Sequence, residues 1–490
     1  MRIKELIPNE EIIKGDTNIK VETCVTEPKD ACESAALFVI PSVSFDTYSI
    51  AEKFARAKAR VLITEDSSKF AKCKIPLIEV RSARRAYAFA ASTLAGIDYS
   101  ALTFIGVTGT NGKTSTATIL EHILTACGRK VAFIGTGKMR FGGKDYHKKH
   151  YSMTSPDPNI LYPTLKEMQD NGADTVIMEV SSHALELHKT DPIHFKVGIF
   201  TGLSHEHLDF HGNMDNYYHA KERLIIDAEC GIINLDDPKG RELYECYKEK
   251  CLGIGVIFDA EYRAYNIEPH GLNGIDYLVK SKGFVTKIKL KLPGAHNIYN
   301  SLLAFAAANK LGATPKSIKD SLSQISGIEG RLEVIEECGI TVIIDYAHTP
   351  LALENLLKTV NQGKNTRQKI TLVFGCGGER DEEKRPIMAR IAESMVTKVI
   401  VTCDNPRGEK PEKIIADIVS GFGGGGYGVI LDRKTAITYA ITHAEVSDIV
   451  IIAGKGHERY VCDKDGYRDF DEREIIREAL LARKRKANEN

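Results

Sequence analysis

One stretch restricts the possible architectures of this chain more than any other: Leu102 to Gly128, LTFIGVTGTNGKTSTATILEHILTACG. It opens with apolar and β-branched residues that read as a buried strand. It closes with apolar residues at helical spacing up to a glycine stop at Gly128. Between the two lie Gly109, Thr110, Asn111, Gly112, Lys113 and Thr114. A glycine-rich turn from strand to helix aims successive backbone N–H groups at one point at the positive end of the helix, which suits a phosphate. In that setting Lys113 reaches the outer phosphates and Thr114 a magnesium ion. The usual pattern has four residues between its first glycine and Gly-Lys, whereas five separate Gly106 from Gly112 here, so the loop is a variant. A tight turn without a ligand is the alternative.

A strand, a phosphate loop and a helix in succession imply an α/β fold with a parallel sheet, and 490 residues supply about three domains. Residues 1–98 alternate short apolar runs with helical patterns and form a small α/β domain without a catalytic constellation; its expected task is to hold part of a substrate. Residues 99–330 add strands near 130–134, 174–180 and 195–201 around the loop, with ligands expected at the carboxyl ends of the strands. From 331 to 490 the pattern restarts, with strands near 342–345, 370–374, 399–402 and 449–453. Polar loops follow each, carrying Asp345 and His348, Arg380, Asp404 with Asn405 and Arg407, and Gly454 with Glu458. Four such loops on one sheet edge make a second polar site.

Lys plus Arg equal Asp plus Glu at 66 each, so no global charge favours nucleic acid or an anionic membrane. No apolar run approaches the roughly 20 residues of a membrane span, and the charged amino-terminal segment is unlike a leader. A soluble cytoplasmic protein is expected. The 11 cysteines form no CxxC pair, which argues against a structural zinc site.

In the central region, Glu179, Ser181 and His183 follow one strand, and the run Gly202 to Gly212 with His205, His207 and His211 follows the next. The three histidines could ligate a transition metal. A carboxylate and one imidazole beside a phosphate loop suit magnesium better, since it prefers oxygen ligands and keeps waters. Lys221 lies on a charged helix and by itself reads as solvated. Asn297 and Asn300, three apart on one helix face, could meet a base edge or serve as helix caps.

Together the motifs TGTNGKTS, TSPD, MEVSSHAL, HLDFHG, NYYHAK, GAHNIYN, GIEGR, DYAHTP, FGCGGERD, DNPRGE and GKGHE resemble the Mur ligase family, the ATP-dependent ligases that build cell-wall peptides. The likeness spans about residues 100–475. It is nearest to the family's E branch, the meso-diaminopimelate-adding type, with archaeal pseudomurein peptide ligases close behind. The resemblance implies an amino-terminal domain for the UDP end of a peptide precursor, a central ATP domain and a carboxyl-terminal Rossmann-like domain for a free amino acid, acting as a monomer. It implies that Lys113 contacts the β/γ-phosphates, that Thr114 and Glu179 hold one Mg2+ and His207 a second, and that Lys221 is the family's carbamylated lysine. It places Asn297 and Asn300 near adenine, Arg331 near the phosphates, and Asp345 and His348 along the nucleotide. Thr154, Ser155, Ser181 and Lys189 fall at the peptide substrate. Arg380, Asp404, Asn405, Arg407, Gly454 and Glu458 match the amino-acid pocket.

Arg407 is a planar donor suited to a carboxylate, and Asp404 and Glu458 suit an ammonium; the resemblance implies that a DNPR run accompanies meso-diaminopimelate, whose far end bears both groups, so this amino acid is expected over lysine. The chain departs from the family at Pro28-Lys29-Asp30, at Leu187 and Lys189, and at Gly202 and Glu206. These changes fall mostly on the precursor side, which points to an unusual UDP-linked acceptor such as a pseudomurein precursor. A P-loop ATPase switch protein is the reading from another class.

Overall fold

The computed structural model describes residues 1–42, 46–146, 153–365 and 367–489. Three sheets organise it. In the first, Thr23–Val25, Ala35–Phe38, Val61–Thr64 and Leu77–Val80 run parallel and Ile12–Lys14 closes one edge antiparallel. The short continuous apolar runs of the two central strands, Ala35–Phe38 and Val61–Thr64, are buried on both faces, as parallel strands inside a sheet require.

The central sheet has eleven strands. At its heart Val131–Gly135, Thr175–Glu179, Thr103–Thr108, Phe195–Phe200, Cys230–Asn234 and Cys251–Gly255 lie side by side in that order, all parallel. The phosphate-loop strand Thr103–Thr108 thus lies between the two strands whose ends carry Glu179 and the histidine run. The strands of this sheet from Cys230–Asn234 to Phe284–Leu290, including the antiparallel pair Ile275–Ser281 and Phe284–Leu290, carry no mark in the sequence pattern. Helix Lys113–Ala126 buries Ala117, Ile119, Leu120, Ile123 and Leu124 and packs on helix His296–Lys310.

The structure explains the odd loop spacing. Gly106 belongs to the strand, where an added Cβ would lie 2.6 Å from Leu224 and 3.0 Å from Phe195. It makes room for helix packing, and the glycine that turns the loop is Gly109, at φ +139°. A count starting at Gly106 includes strand residues.

In the third sheet Ile340–Asp345, Ile449–Ala453, Ile370–Phe374, Lys398–Val401 and Tyr427–Val429 are parallel, with Glu333–Glu337 antiparallel at one edge. Parallel strands bring the loops after residues 345, 374, 401 and 453 to one edge. A hairpin, Tyr460–Asp463 with Gly466–Asp469, packs beside them: Arg407 N donates to Cys462 O.

Candidate active site

Gly109 allows the chain to turn where a Cβ would fall 1.9 Å from Thr201 Oγ1. Thr201 in turn donates to Asn111 O at 2.6 Å and Thr108 O at 3.2 Å, fastening the loop to the next strand. Gly112, left-handed at φ +87°, precedes the helix and leaves space for Asn300 Oδ1. Thr110 Oγ1 lies 3.1 Å from Tyr217 Oη and accepts from Ser204 N, while Asn111 is exposed. Lys113 Nζ folds over the loop, donating to Gly109 O and Thr110 O at 3.0 and 2.9 Å. Burial lowers its pKa, partly offset by Glu206 and Glu179.

Thr114 Oγ1 donates to Glu179 Oε2 at 3.0 Å and accepts from Arg331 Nη2 at 3.2 Å. Glu179 is fully buried and also accepts from Thr136 N and Thr136 Oγ1 at 3.2 Å each. A hydroxyl and a carboxylate side by side at a phosphate loop form an oxygen-only donor set that fits magnesium. Thr136 carries no motif signal; its part emerges only from the fold. Thr136 donates to Thr154, and Ser155 Oγ bonds Glu179 O and Ser181 N, so these predicted substrate residues brace the strand end that carries Glu179. Ser181 additionally caps helix Ser182–Glu186 through Ala184 N.

Lys221 is not solvated. On helix Met214–Asp227 its side chain is buried, its Nζ donates to Gly109 O at 2.8 Å, and it lies 4.6 Å from the Tyr217 ring centroid. Burial, reinforced by Lys113, pushes its pKa well below the usual lysine value. A charged helix face in the sequence hid an inward-facing position.

The three histidines take separate places. His205 is exposed, and His211 Nε2 lies 3.0 Å from Ser182 Oγ. His207, left-handed at φ +58°, sets its ring edge-on to His183, with centroids 5.0 Å apart, and stands 3.7 Å from Glu206. They form no three-ligand group; among the described residues the one such group is Glu268, His270 and Asp276, with Lys287 salt-bridged to both carboxylates. Glu206, noted in the sequence only as a departure, bridges two domains because His348 Nε2 lies 3.5 Å from its other oxygen. Burial raises this carboxyl, but His348, His207 and Lys113 outweigh it and hold it well below the usual carboxylate range.

Asn297 and Asn300 cap nothing, since the helix starts from Ala295 without a side-chain cap. Asn297 Nδ2 donates to Pro293 O, Asn300 Nδ2 to Asn297 Oδ1, and Thr116 to Asn300, which ties the helix start to the phosphate loop. Asp345 accepts from Leu332 N and Ala347 N, and thereby shapes the segment that presents Arg331, whose guanidinium lies over Tyr346.

In the third domain, Arg407 Nη1 donates to Gly378 O at 2.7 Å and Asn405 O at 3.4 Å, and among the described residues it makes no salt bridge. Arg380 flanks it across Gly377. Asn405 binds Glu458 through Nδ2 and receives Lys455 Nζ, each at 2.9 Å. Lys455 is fully buried, 3.8 Å from Asp404 and 3.6 Å from Glu458. Asp404 also lies 3.9 Å from buried Arg433, a residue no motif marked. Burial raises the Asp404 carboxyl, and Lys455, Arg433 and His348 bring it net below its ordinary value. Gly454 leaves room for Asp404, whose Oδ2 would be 2.6 Å from an added Cβ.

Between the first and central domains lies a cleft of about 570 Å³ lined by Lys29, Lys53, Arg84, Asp157, Leu187 and Lys189, among others. Lys189 is buried and pairs with Asp157 at 2.6 Å. The altered positions 29, 187 and 189 therefore share one cavity.

Residues 107–308 match the Mur ligase middle domain and residues 330–456 the Mur ligase, glutamate ligase domain. The UDP-N-acetylmuramoyl-L-alanyl-D-glutamate--2,6-diaminopimelate ligase of Clostridioides difficile is 38% identical over 489 residues, and that of Clostridium tetani 36% over 488; each alignment covers 98% of this chain and 99% of the relative. This chain belongs to the Mur ligase family. A solved structure described as UDP-N-acetylmuramoyl-L-alanyl-D-glutamate--2,6-diaminopimelate ligase superposes on this Mur ligase with TM-score 0.69 at 28% identity, covering 98% of this chain and 99% of the other. The pseudomurein peptide ligase type C from Methanothermus fervidus shares the fold alone, with TM-score 0.58, 17% identity and coverage of 86% and 87%. The same holds for the Thermotoga maritima MurF ligase in complex with ADP, at TM-score 0.56 and 16% identity over 95% of this chain and 97% of the other.

Proposed function

We propose that this Mur ligase joins meso-diaminopimelate to the peptide of UDP-N-acetylmuramoyl-L-alanyl-D-glutamate at the expense of ATP. The observation that carries the reading is a pair of anion sites held together by contacts between domains. Lys113, Thr114 and Glu179 stand on the nucleotide side and Arg407 on the other, with Arg331–Thr114 and His348–Glu206 joining them. Whole-length identity to relatives named for this reaction supports the acceptor and the amino acid over a pseudomurein precursor.

In the chemistry, an oxygen of the precursor's terminal carboxylate attacks the γ-phosphorus of ATP, and the bond to ADP breaks. The amine nitrogen then attacks the acyl carbon, phosphate leaves with the bonding pair, and the nitrogen loses a proton to give the amide. Such transfer needs positioning and charge neutralisation more than covalent participation. The loop N–H groups and Lys113 hold the β/γ-phosphates, and Arg331 approaches them from the third domain. Thr114 and Glu179 would hold one Mg2+, and His207 with Lys221 a second, to offset phosphate charge. His207 and Lys221 both lie against the Tyr217 ring, which supports their joint role. Burial lowers this lysine's pKa and so favours the free amine relative to an exposed lysine, and the free amine is the form that takes up CO2 to become a carbamate and supply an anionic ligand. The cleft with Lys29 and Lys189 holds the UDP-linked precursor. The enzyme works as a cytoplasmic monomer; among the described residues no helix is long and apolar enough to cross a membrane.

A ligation assay tests this: ADP release should require both the UDP-linked dipeptide and meso-diaminopimelate. Faster turnover with L-lysine would sink the diaminopimelate assignment. Absence of saturable precursor binding would remove the acceptor, and ATP hydrolysis indifferent to both substrates would favour a P-loop switch.

A further inference from the structure

Arg385 is the largest fully buried side chain of the protein's described residues, yet it touches neither phosphate loop nor cleft. It stands in the first turn of helix Lys384–Met395. Its guanidinium grips Glu409 as a fork, Nη1 to Oε1 at 2.7 Å and Nη2 to Oε2 at 2.8 Å. Nη1 also donates to Asp417 Oδ2 at 2.7 Å and Nη2 to Gly377 O at 3.4 Å. Glu409 Oε2 accepts in addition from Glu379 N at 3.0 Å, and Lys413 lies 3.3 Å from Oε1. One ion pair thus joins the two loops that carry Arg380 and Arg407.

Those loops are zipped closely. Gly378 N donates to Asn405 O at 3.0 Å, and a Cβ on Gly378 would fall 2.0 Å from Pro406 O. Glu379 and Arg407 both adopt φ +53°, a left-handed conformation that a residue with a side chain holds only when its surroundings impose it. Arg407 therefore takes its direction from the packing of the two loops, and that packing is closed by Arg385 and Glu409. A guanidinium–carboxylate fork depends on orientation far more than a point charge does.

We propose that Arg385 and Glu409 are positioning residues that aim Arg407 at the distal carboxylate of the incoming diamino acid, and so set the preference for diaminopimelate over lysine. This rests on the ligase reading above. Lysine has no distal carboxylate, so its use does not depend on Arg407's direction.

Steady-state kinetics of the full-length enzyme with meso-diaminopimelate and L-lysine test it. In Glu409→Gln, which keeps the side chain's shape, KM for meso-diaminopimelate should rise at least tenfold. Its kcat, KM for ATP and KM for lysine should stay within twofold, so the preference falls by the same tenfold. Arg385→Lys should act in the same direction. KM values and their ratio do not depend on the folded fraction, so partial misfolding does not mask the result. An unchanged KM for diaminopimelate, or a parallel rise in KM for ATP, would overturn the proposal. A wild-type enzyme that ligates neither amino acid would instead remove the ligase reading, and the proposal with it.

Discussion

Replacing Gly109 by alanine tests whether the phosphate loop depends on its contact with Thr201. The backbone at φ +139° is open to glycine, and the new Cβ would lie 1.9 Å from Thr201 Oγ1 and 3.0 Å from Gly202 O. Strain of this kind costs about 1–3 kcal/mol. Thr201 can retreat only by releasing Asn111 O and Thr108 O, two bonds worth about 1 kcal/mol each. The sum of about 3–5 kcal/mol falls on the loop that must cradle the phosphates, and at 1.4 kcal/mol per tenfold it predicts a loss of roughly 100- to 4,000-fold in ATP affinity. Gly128, at the far end of the same helix, is the control. It is left-handed at φ +87° with nothing within 4 Å of a Cβ, so alanine there costs about 1–2 kcal/mol of strain and no nucleotide contact. Calorimetric titration with ATP and thermal unfolding of both variants read the two effects separately. The reasoning fails if Gly109→Ala binds ATP within threefold of wild type, or if Gly128→Ala loses as much affinity.

Carbamylation of Lys221 should appear as a carbamate resonance when the enzyme is equilibrated with 13C-bicarbonate, and should vanish in Lys221→Ala along with most of kcat; full activity of that variant would contradict the role given to this lysine. Glu409, held at about 2 by its bond to Arg385 against an ordinary 4.5, is a depressed carboxylate. Its contribution to stability is therefore complete above about pH 4.5 and lost as pH falls towards 2, so the difference in urea stability between wild type and Glu409→Gln should shrink across that window; a constant difference would be evidence against the clamp. Lys189→Ala removes a buried cation and its ion pair with Asp157 from the cleft wall and should weaken binding of the UDP-linked dipeptide about tenfold or more without altering ATP affinity, a split that fluorescence or calorimetric titrations detect. Glu179→Gln should reduce kcat at least 100-fold with ATP binding weakened far less, because the amide oxygen can still accept from Thr114 Oγ1 and Thr136 Oγ1 while its NH2 replaces the oxygen that accepted from Thr136 N and no charge remains for the metal; near-normal turnover would exclude Glu179 as a ligand.

Much of the site could be read from the chain because its parts are local. The strand, the turning glycines, Lys113 and Thr114 occupy one short segment whose backbone preferences and hydrogen-bonding groups act over a few residues. Parallel strands followed by polar loops likewise announce ligand positions at the strand ends. The three α/β units follow from the same alternation. What remained open was every property that depends on which segments meet. Lys221 reads as solvated until helix Met214–Asp227 packs it against Gly109 O, and burial then lowers its pKa. Thr136, Arg385 and Arg433 carry no motif, and neither the tie from Glu206 to His348 nor that from Glu409 to Arg385 is announced in the sequence, because the partners are far apart along the chain. Gly106 belongs to a strand and not to the loop, a distinction that only the position of Phe195 and Leu224 reveals. The sequence by itself determined the fold class and the phosphate-binding loop through local backbone chemistry. Tertiary structure decided which charges are buried, which are paired, and how the loops around Arg407 are held in shape, because burial and Coulomb interaction depend on distance in space.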